Sequence, residues 1–561
     1  MHVTTDQPQP ATSRYVTEHL FRVPLVQLLL IGFFTQLIYL VYIIAFPLIS
    51  NTQAGGPAAD LEILMRGYRW FAPLYTVGIL LLYMLFWQAM RLAFNQAIGQ
   101  TSETTLKIVV LIFGLLFGFT LVWLYPITAN DIFRYVLRGR IWAIYGESPM
   151  LMPPSAFPHD PYIAFAGEFG DWVSGYGPLW EIVAQVPLRM GAVEMVPATI
   201  GLKFVVLVCY LICAGLIGWV ARPEKSSSLA ALIFFAWNPL ILLQGPGNGH
   251  NDMLFMALMV LGIIFWQRRV WWAAVLVLTL ATLAKAPGLL VLPLFGVVLL
   301  REQSSWSQRL KKGLGALGIG LVTMFLIYSV FGPVLDTLRG VSDMLTTRRG
   351  FAVASEVRMV LREVLPRGAA EAISPQVVWG VTTWRNLAPC NGSSLLVRLV
   401  DQIVPCQVAE ALPRTTGRHI FVLFYLWLLV QLWRNKLNLV TAAFLAYFSQ
   451  LMLGRTFRIW YPMWLIPLAA LHLTKATFWR TFLFSLAAEL SIINYFVVWR
   501  WWLRDWPWEQ LGLLTQSYYW LIMHTLTVPW LFGLPLLGPI LLKRAGRGNL
   551  KIGTVTLRRT G

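Results

Sequence analysis

The leading candidate for chemistry in this sequence is a carboxylate just beyond an apolar run. Asp131 follows the uncharged stretch Ile108–Tyr125 by a few positions. A carboxylate so placed is partly desolvated, which raises its proton affinity toward that of a general base. Arg134, Tyr135 and Arg138 follow at helical spacing, on roughly the same helix face. The position equally suits a plain helix start, because capping and the helix dipole favour an acid there.

Four other stretches carry polar groups in apolar surroundings. Between Pro149 and Leu179 lie His159-Asp160-Pro161-Tyr162, Asp171 and Ser174-Gly175-Tyr176-Gly177-Pro178-Leu179. This segment is rich in turn residues. Asp160 and Asp171 suit sugar hydroxyls or a divalent cation there, or else simply face water. The second stretch holds Asn238-Pro239-Leu240 and Gly245-Pro246-Gly247-Asn248-Gly249-His250-Asn251-Asp252. Broken backbone at membrane depth lines a cavity or is buried in protein. His250, Asn251 and Asp252 are therefore candidate substrate contacts, unless the stretch is an ordinary outer turn. Third, Lys285 lies inside the apolar run Leu276–Leu300. A charge there costs roughly 3 kcal/mol on insertion scales. It needs an acid or a bound anion, or must reach the interface along its own stem. Last, Arg455 and Arg458 are three apart, near Tyr461. Paired guanidinium groups suit phosphate, and lipid headgroups or outer carboxylates are the alternative.

Long hydrophobic elements must position these groups. Of the 561 residues, 57% are hydrophobic and only 12% charged, about half the charged share of a soluble domain. Leu25–Ile49, Tyr75–Met90, Ile108–Tyr125 and Leu314–Phe331 approach the roughly 20 residues that cross a bilayer. The composition predicts an all-α polytopic membrane protein with about 14 spans. The net charge of +19 gathers in short loops: Arg91 and Lys107, Arg222 and Lys225, Arg268–Arg269, Arg301 to Lys312, Arg434–Lys436, Lys475–Arg480, and the tail from Lys543. All fall on one side if the N-terminus is cytoplasmic, as positive-inside bias requires. That pattern explains the basic charge through membrane lipids and topology, without nucleic acid. It leaves residues 1–22 and 543–561 as cytoplasmic tails around a membrane domain of 23–542. Two long outer loops result, at about 128–196 and 333–417, and the candidate groups converge on that outer face. Asp131–Tyr145 reads as an amphipathic helix for the membrane interface, Arg339–Arg367 similarly, and Trp499–Trp508 as part of the aromatic belt. Cys390 and Cys406 share the second outer loop, where a disulfide is allowed. Cys209 and Cys213 read as core residues, and Asn391-Gly392-Ser393 fits a glycosylation sequon.

Taken together, these stretches resemble the membrane glycosyltransferases of the GT-C fold that use polyprenyl-phosphate sugars. They look most like the actinobacterial polyprenol-phosphate-mannose α-1,6-mannosyltransferases. The resemblance rests on Asn130-Asp131-Ile132-Phe133-Arg134-Tyr135 with Arg138-Gly139-Arg140, on Tyr176-Gly177-Pro178-Leu179-Trp180, on Asn238-Pro239-Leu240, and on Gly247-Asn248-Gly249-His250-Asn251-Asp252. It spans roughly residues 25–470. The chain departs at Ser148-Pro149, where relatives often have Asn-Pro. The resemblance implies that Asp131 is the catalytic base of an inverting transfer of a hexose, mannose by analogy with that family. The acceptor would be a lipid or cell-envelope glycan at the extracytoplasmic face of the membrane. Arg455, Arg458, Lys285 and Tyr461 would face the donor phosphate. Arg134, Arg138, Asp160, Asp171, Tyr176, His250, Asn251 and Asp252 would face the substrates. A divalent cation at Asp160, Asp171 or Asp252 is allowed but not required. The competing reading is a transporter or flippase of a lipid-linked or anionic solute, which would also need an intramembrane Lys and outer Arg groups.

Overall fold

The computed structural model describes residues 24–53, 70–94, 102–220, 227–338, 352–354, 357, 376–378, 381–383, 406–454, 457–494 and 516–544. Outside them lie Arg455, Cys390, the sequon, most of Arg339–Arg367, the Trp499–Trp508 cluster and nearly all of both tails.

The chain is an all-α polytopic membrane protein. Its helices are α1 (Pro24–Ala45), α2 (Phe71–Phe94), α3 (Glu103–Val122), α4 (Asp131–Ala143), α5 (Pro178–Ala184), α6 (Met195–Val220), α7 (Ser227–Ala236), α8 (Asp252–Gln267), α9 (Trp271–Ala284) and α10 (Val291–Arg301). There follow α11 (Trp306–Ser329), α12 (Cys406–Trp433), α13 (Leu439–Leu453), α14 (Leu465–Leu471), α15 (Lys475–Ile493) and α16 (Gln516–Arg544). A short antiparallel hairpin pairs two three-residue strands, Gln376–Val378 and Val381–Thr383. Among the described residues, 8 helices are long and apolar enough to cross a bilayer, or up to 9 if the bent pair Ser228–Ala236 and Pro239–Gly247 is one span. Shorter apolar helices, α8 and α9 among them, would also have to cross to reach the count expected from the sequence.

The four long apolar runs fall largely within α1, α2, α3 and α11. Each of these helices carries little charge over a bilayer's thickness, and its backbone groups are satisfied internally. Their outward residues are apolar: Leu314, Leu317, Leu321 and Phe325 of α11 are all more than half exposed, as lipid-facing positions should be. Inward polar groups pair across helices, as where Gln36 Nε2 donates to Thr120 Oγ1 at 2.7 Å.

Two devices fix the approach to Asp131. Residues after α1 pair with those after α3, through Leu48 N–H to the Trp123 carbonyl (3.0 Å) and Tyr125 N–H to the Phe46 carbonyl (2.9 Å). Lys203, fully buried on α6, donates to the carbonyls of Leu121 and Leu124 at the end of α3. Those donations satisfy carbonyls that the end of a helix leaves without an intrahelical partner.

The helix expected to lie in the membrane interface is instead enclosed by protein. Ten of the 13 residues of α4 are buried, packed against α5, α6 and the turns of the same loop. It carries Asp131 and Arg138 on one face and Arg140 on the other, and their burial requires partners that a lipid surface would not supply.

Candidate active site

The site assembles where α4 begins, and two glycines explain how its parts approach. The helix start itself needs no unusual backbone: Asn130 is the N-cap and Asp131 the first helical residue. Opposite it, the chain breaks after α7. Asn238 caps a single turn by accepting from Leu240 N–H at 3.1 Å, with Pro239 in the first helical position. A π-helical turn, Leu243–Gly247, follows. Gly249 then takes φ +76°, and a Cβ there would lie 2.2 Å from the Ile132 side chain. Only glycine meets both demands at low cost, and it brings His250 beside Asp131.

The second break lies at the end of α9. Pro287 has no N–H to give the Leu283 carbonyl, and the helix stops at Ala284 with Lys285 extended at φ −158°. Gly177 presses onto that end: a Cβ there would lie 1.9 Å from the Leu283 carbonyl oxygen. The Tyr-Gly-Pro-Leu segment thus needs its glycine to seat α5 against the Lys285 break.

Asp131 is 8% exposed. Its Oδ1 accepts from Arg134 Nη1 at 2.6 Å, while Arg134 Nη2 reaches the Asn130 side chain at 2.6 Å. The guanidinium lies over Phe169, 3.9 Å from the ring centre. His250 Nδ1 is 3.9 Å from Asp131 Oδ2, too long for a direct hydrogen bond and short enough for one bridging hydroxyl. Burial pushes the imidazole down from 6.5 to about 4, against the pull of Asp131 and Asp252. His250 is therefore neutral at physiological pH. Neither ring nitrogen has a hydrogen-bond partner among the described residues. One face of the ring stacks on Trp460, centroids 4.1 Å apart.

Next to it, Lys285 Nζ donates to Asp252 Oδ2 at 2.6 Å and to Asn251 Oδ1 at 3.0 Å. Asp252, fully buried, also accepts from Trp464 Nε1. The partner that Lys285 requires is thus an acid, and the ammonium keeps one of its three donors. Tyr461 stacks on Trp464 at 4.3 Å. Tyr135 O–H donates to Asn251 Oδ1 at 3.3 Å and packs edge-on against Tyr176 and Trp180. Arg138, 2% exposed, lies 5.1 Å from the Tyr176 ring centre with Nε and Nη1 unpartnered among the described residues.

Asp131, Arg134, Arg138, Tyr176, His250, Asn251, Asp252, Lys285 and Tyr461 therefore form one connected cluster. Half-buried Arg458 sits two residues from Trp460 in the same segment. Asp160 is committed elsewhere. Its oxygens accept from Arg140 Nε (2.9 Å), Tyr145 O–H (2.9 Å) and Tyr162 N–H (2.9 Å) at the far end of α4. Asp171 is exposed on the loop. Among the described residues, no group of three or more His, Cys, Asp or Glu side chains is placed to hold a metal ion.

Sequence reasoning overlooked Trp460, Trp464 and Glu181. The tryptophans lie in an aromatic run next to Arg458, a cue also shared with interface belts. Glu181 is 1% exposed and accepts from Ser174 O–H. Burial raises its proton affinity, opposed by the charge of Arg138. Its signal is an acid in the first turn of α5, directly after the Tyr-Gly-Pro-Leu-Trp segment.

Residues 32–301 match the family model described as alpha-(1->6)-mannopyranosyltransferase, N-terminal domain. Over 288 residues the chain is 26% identical to alpha-(1->6)-mannopyranosyltransferase A of Mycobacterium tuberculosis, covering 49% of this chain and 51% of that protein. The match spans about half the length of that relative. No solved structure matches the chain. The stretch that is similar to this family, residues 32–301, supplies both the Asp131 helix and the His250 turn.

Proposed function

We propose that the chain is an inverting hexosyltransferase that moves mannose from a polyprenyl-phosphate donor to a lipid or cell-envelope glycan acceptor at the extracytoplasmic face of the membrane, with both termini cytoplasmic. One observation carries the reading. A buried carboxylate, Asp131, and a neutral imidazole, His250, face each other across 3.9 Å, and both imidazole nitrogens lack hydrogen-bond partners among the described residues. That gap fits one hydroxyl group.

In this reading the acceptor hydroxyl donates to Asp131, which takes its proton as the oxygen attacks the anomeric carbon. The carbon–oxygen bond to the phosphate breaks, and the polyprenyl phosphate leaves as a weak base that needs no proton. Attack in line inverts the anomeric centre. Arg455, Arg458 and the remaining donor of Lys285 offset the charge that develops on the phosphate. Asn251, Asp252, Arg138 and Tyr176 orient the sugars, with Trp460 and Tyr461 as apolar walls for their C–H faces. Holding both substrates at one site supplies the orientation that the reaction needs.

The test is transfer by the purified chain in proteoliposomes, with polyprenyl-phosphate mannose and a nucleotide-linked mannose offered separately. Transfer from the lipid-linked donor alone supports the reading. Transfer from the nucleotide sugar alone, or from neither, overturns it.

A further inference from the structure

A second polar cluster lies deeper in the helices, and the chemistry above does not use it. Glu489 is fully buried in α15. Its Oε1 accepts from Gln244 Nε2 at 2.9 Å and its Oε2 from Tyr75 O–H at 2.9 Å. A carboxyl group inside a membrane-spanning helix is costly and is a functional candidate by default.

Gln244 makes the connection outward. It sits in the π-helical turn, where its backbone carbonyl accepts the N–H of His250 at 3.2 Å. Its side-chain oxygen accepts from Asn248 Nδ2 at 2.7 Å and from Thr128 O–H at 3.2 Å. Asn248 Nδ2 also donates to Thr128 Oγ1. Thr128 lies three residues before Asp131, and Asn248 two before His250. One amide thus ties both catalytic segments together, and Glu489 fixes which way that amide faces. With its nitrogen bound to a carboxyl oxygen, only its oxygen is left for the two outer donors.

We propose that Glu489, acting through Gln244 and steadied by Tyr75, is a positioning residue that sets the spacing between His250 and Asp131. The proposal rests on the transfer reading above. Its role is geometric. A glutamine at 489 could still accept from Gln244 and donate to the Tyr75 oxygen, whereas a leucine could do neither. Misplacement of reacting groups by about 1 Å can cost on the order of a hundredfold in rate.

The experiment measures kcat and donor KM for the full chain in proteoliposomes, with polyprenyl-phosphate mannose as the probe. Glu489→Leu should lower kcat at least about tenfold with KM within about threefold of wild type, and Glu489→Gln should restore kcat to within about threefold. Combining Glu489→Leu with His250→Ala should cost no more than His250→Ala alone, since a positioning residue acts through the group it positions. A merely structural residue would instead give losses that multiply. If Glu489→Leu yields no folded protein, Tyr75→Phe removes a single hydroxyl and runs the same cycle. Unchanged kcat in the single variants, or multiplying losses in the doubles, overturns the proposal. An inactive wild type overturns the transfer reading instead, so the two failures are distinct.

Discussion

Replacing Lys285 by Met tests whether that lysine belongs to the architecture of the site. Asp252 has a side chain with no exposed surface, and the Lys285 side chain is 12% exposed. Losing the ammonium leaves a buried carboxylate with the Trp464 indole as its described donor. Breaking a buried pair by removing one partner costs about 3–5 kcal/mol. The residual exposure of Lys285 lets water replace part of the lost interaction, which places the cost near the lower end, about 3 kcal/mol. With the whole 561-residue chain as one cooperative unit, that is a melting temperature lower by on the order of 2–3 °C. The assay is thermal unfolding of detergent-purified protein, read as the surviving monodisperse fraction. The double variant Lys285→Met with Asp252→Asn carries neither charge, and should recover most of the loss. A Lys285→Met protein as stable as wild type, with only the donor KM raised, would refute the reasoning.

Three further outcomes follow from the geometry. Gly177→Ala should abolish folded protein or cost more than about 3 kcal/mol, because the added methyl meets backbone at the Leu283 carbonyl and not a movable side chain; size-exclusion recovery in detergent checks it. His250 should make the fold acid-sensitive. Its folded pKa of about 4 lies below the ordinary 6.5, so the unfolded chain binds the proton first. Its contribution is intact above pH 6.5 and falls by up to about 3 kcal/mol as the pH drops toward 4, and melting curves of His250→Gln should be flatter over that window. Asp160→Asn should lower thermal stability through the lost Arg140 pair while leaving the donor KM within about twofold.

The membrane architecture is legible in the sequence because α1, α2, α3 and α11 are long, apolar and separated by basic loops. The short elements are not. Leu276–Leu300 reads as one apolar span, yet it is broken at Lys285, and the cue is Pro287 two residues on. The amphipathic pattern of α4 does mark a helix, but its polar face turns toward protein. Hydrophobic periodicity cannot distinguish a membrane surface from buried ionic partners. At the site, Asp131, His250, Asp252 and Lys285 stand out as ionisable groups in apolar surroundings. Asp160 stands out for the same reason, and no local pattern reveals that Arg140 and Tyr145 occupy it. Glu489 carries the same cue as Lys285 but stays hidden, because its meaning depends on Gln244 and Tyr75 from distant helices. The stacking of Trp460 on His250 has no local signature at all.

The most direct test of the central claim is the rate of mannosyl transfer by Asp131→Asn in proteoliposomes, with donor binding measured alongside. Asparagine keeps the size of the side chain and an acceptor for Arg134, but cannot take the proton of the acceptor hydroxyl. General-base catalysis contributes typically about 10²–10⁴-fold. The rate should fall by at least roughly a hundredfold while the polyprenyl-phosphate sugar still binds. Transfer within a few-fold of wild type would contradict the assignment of Asp131 as the base.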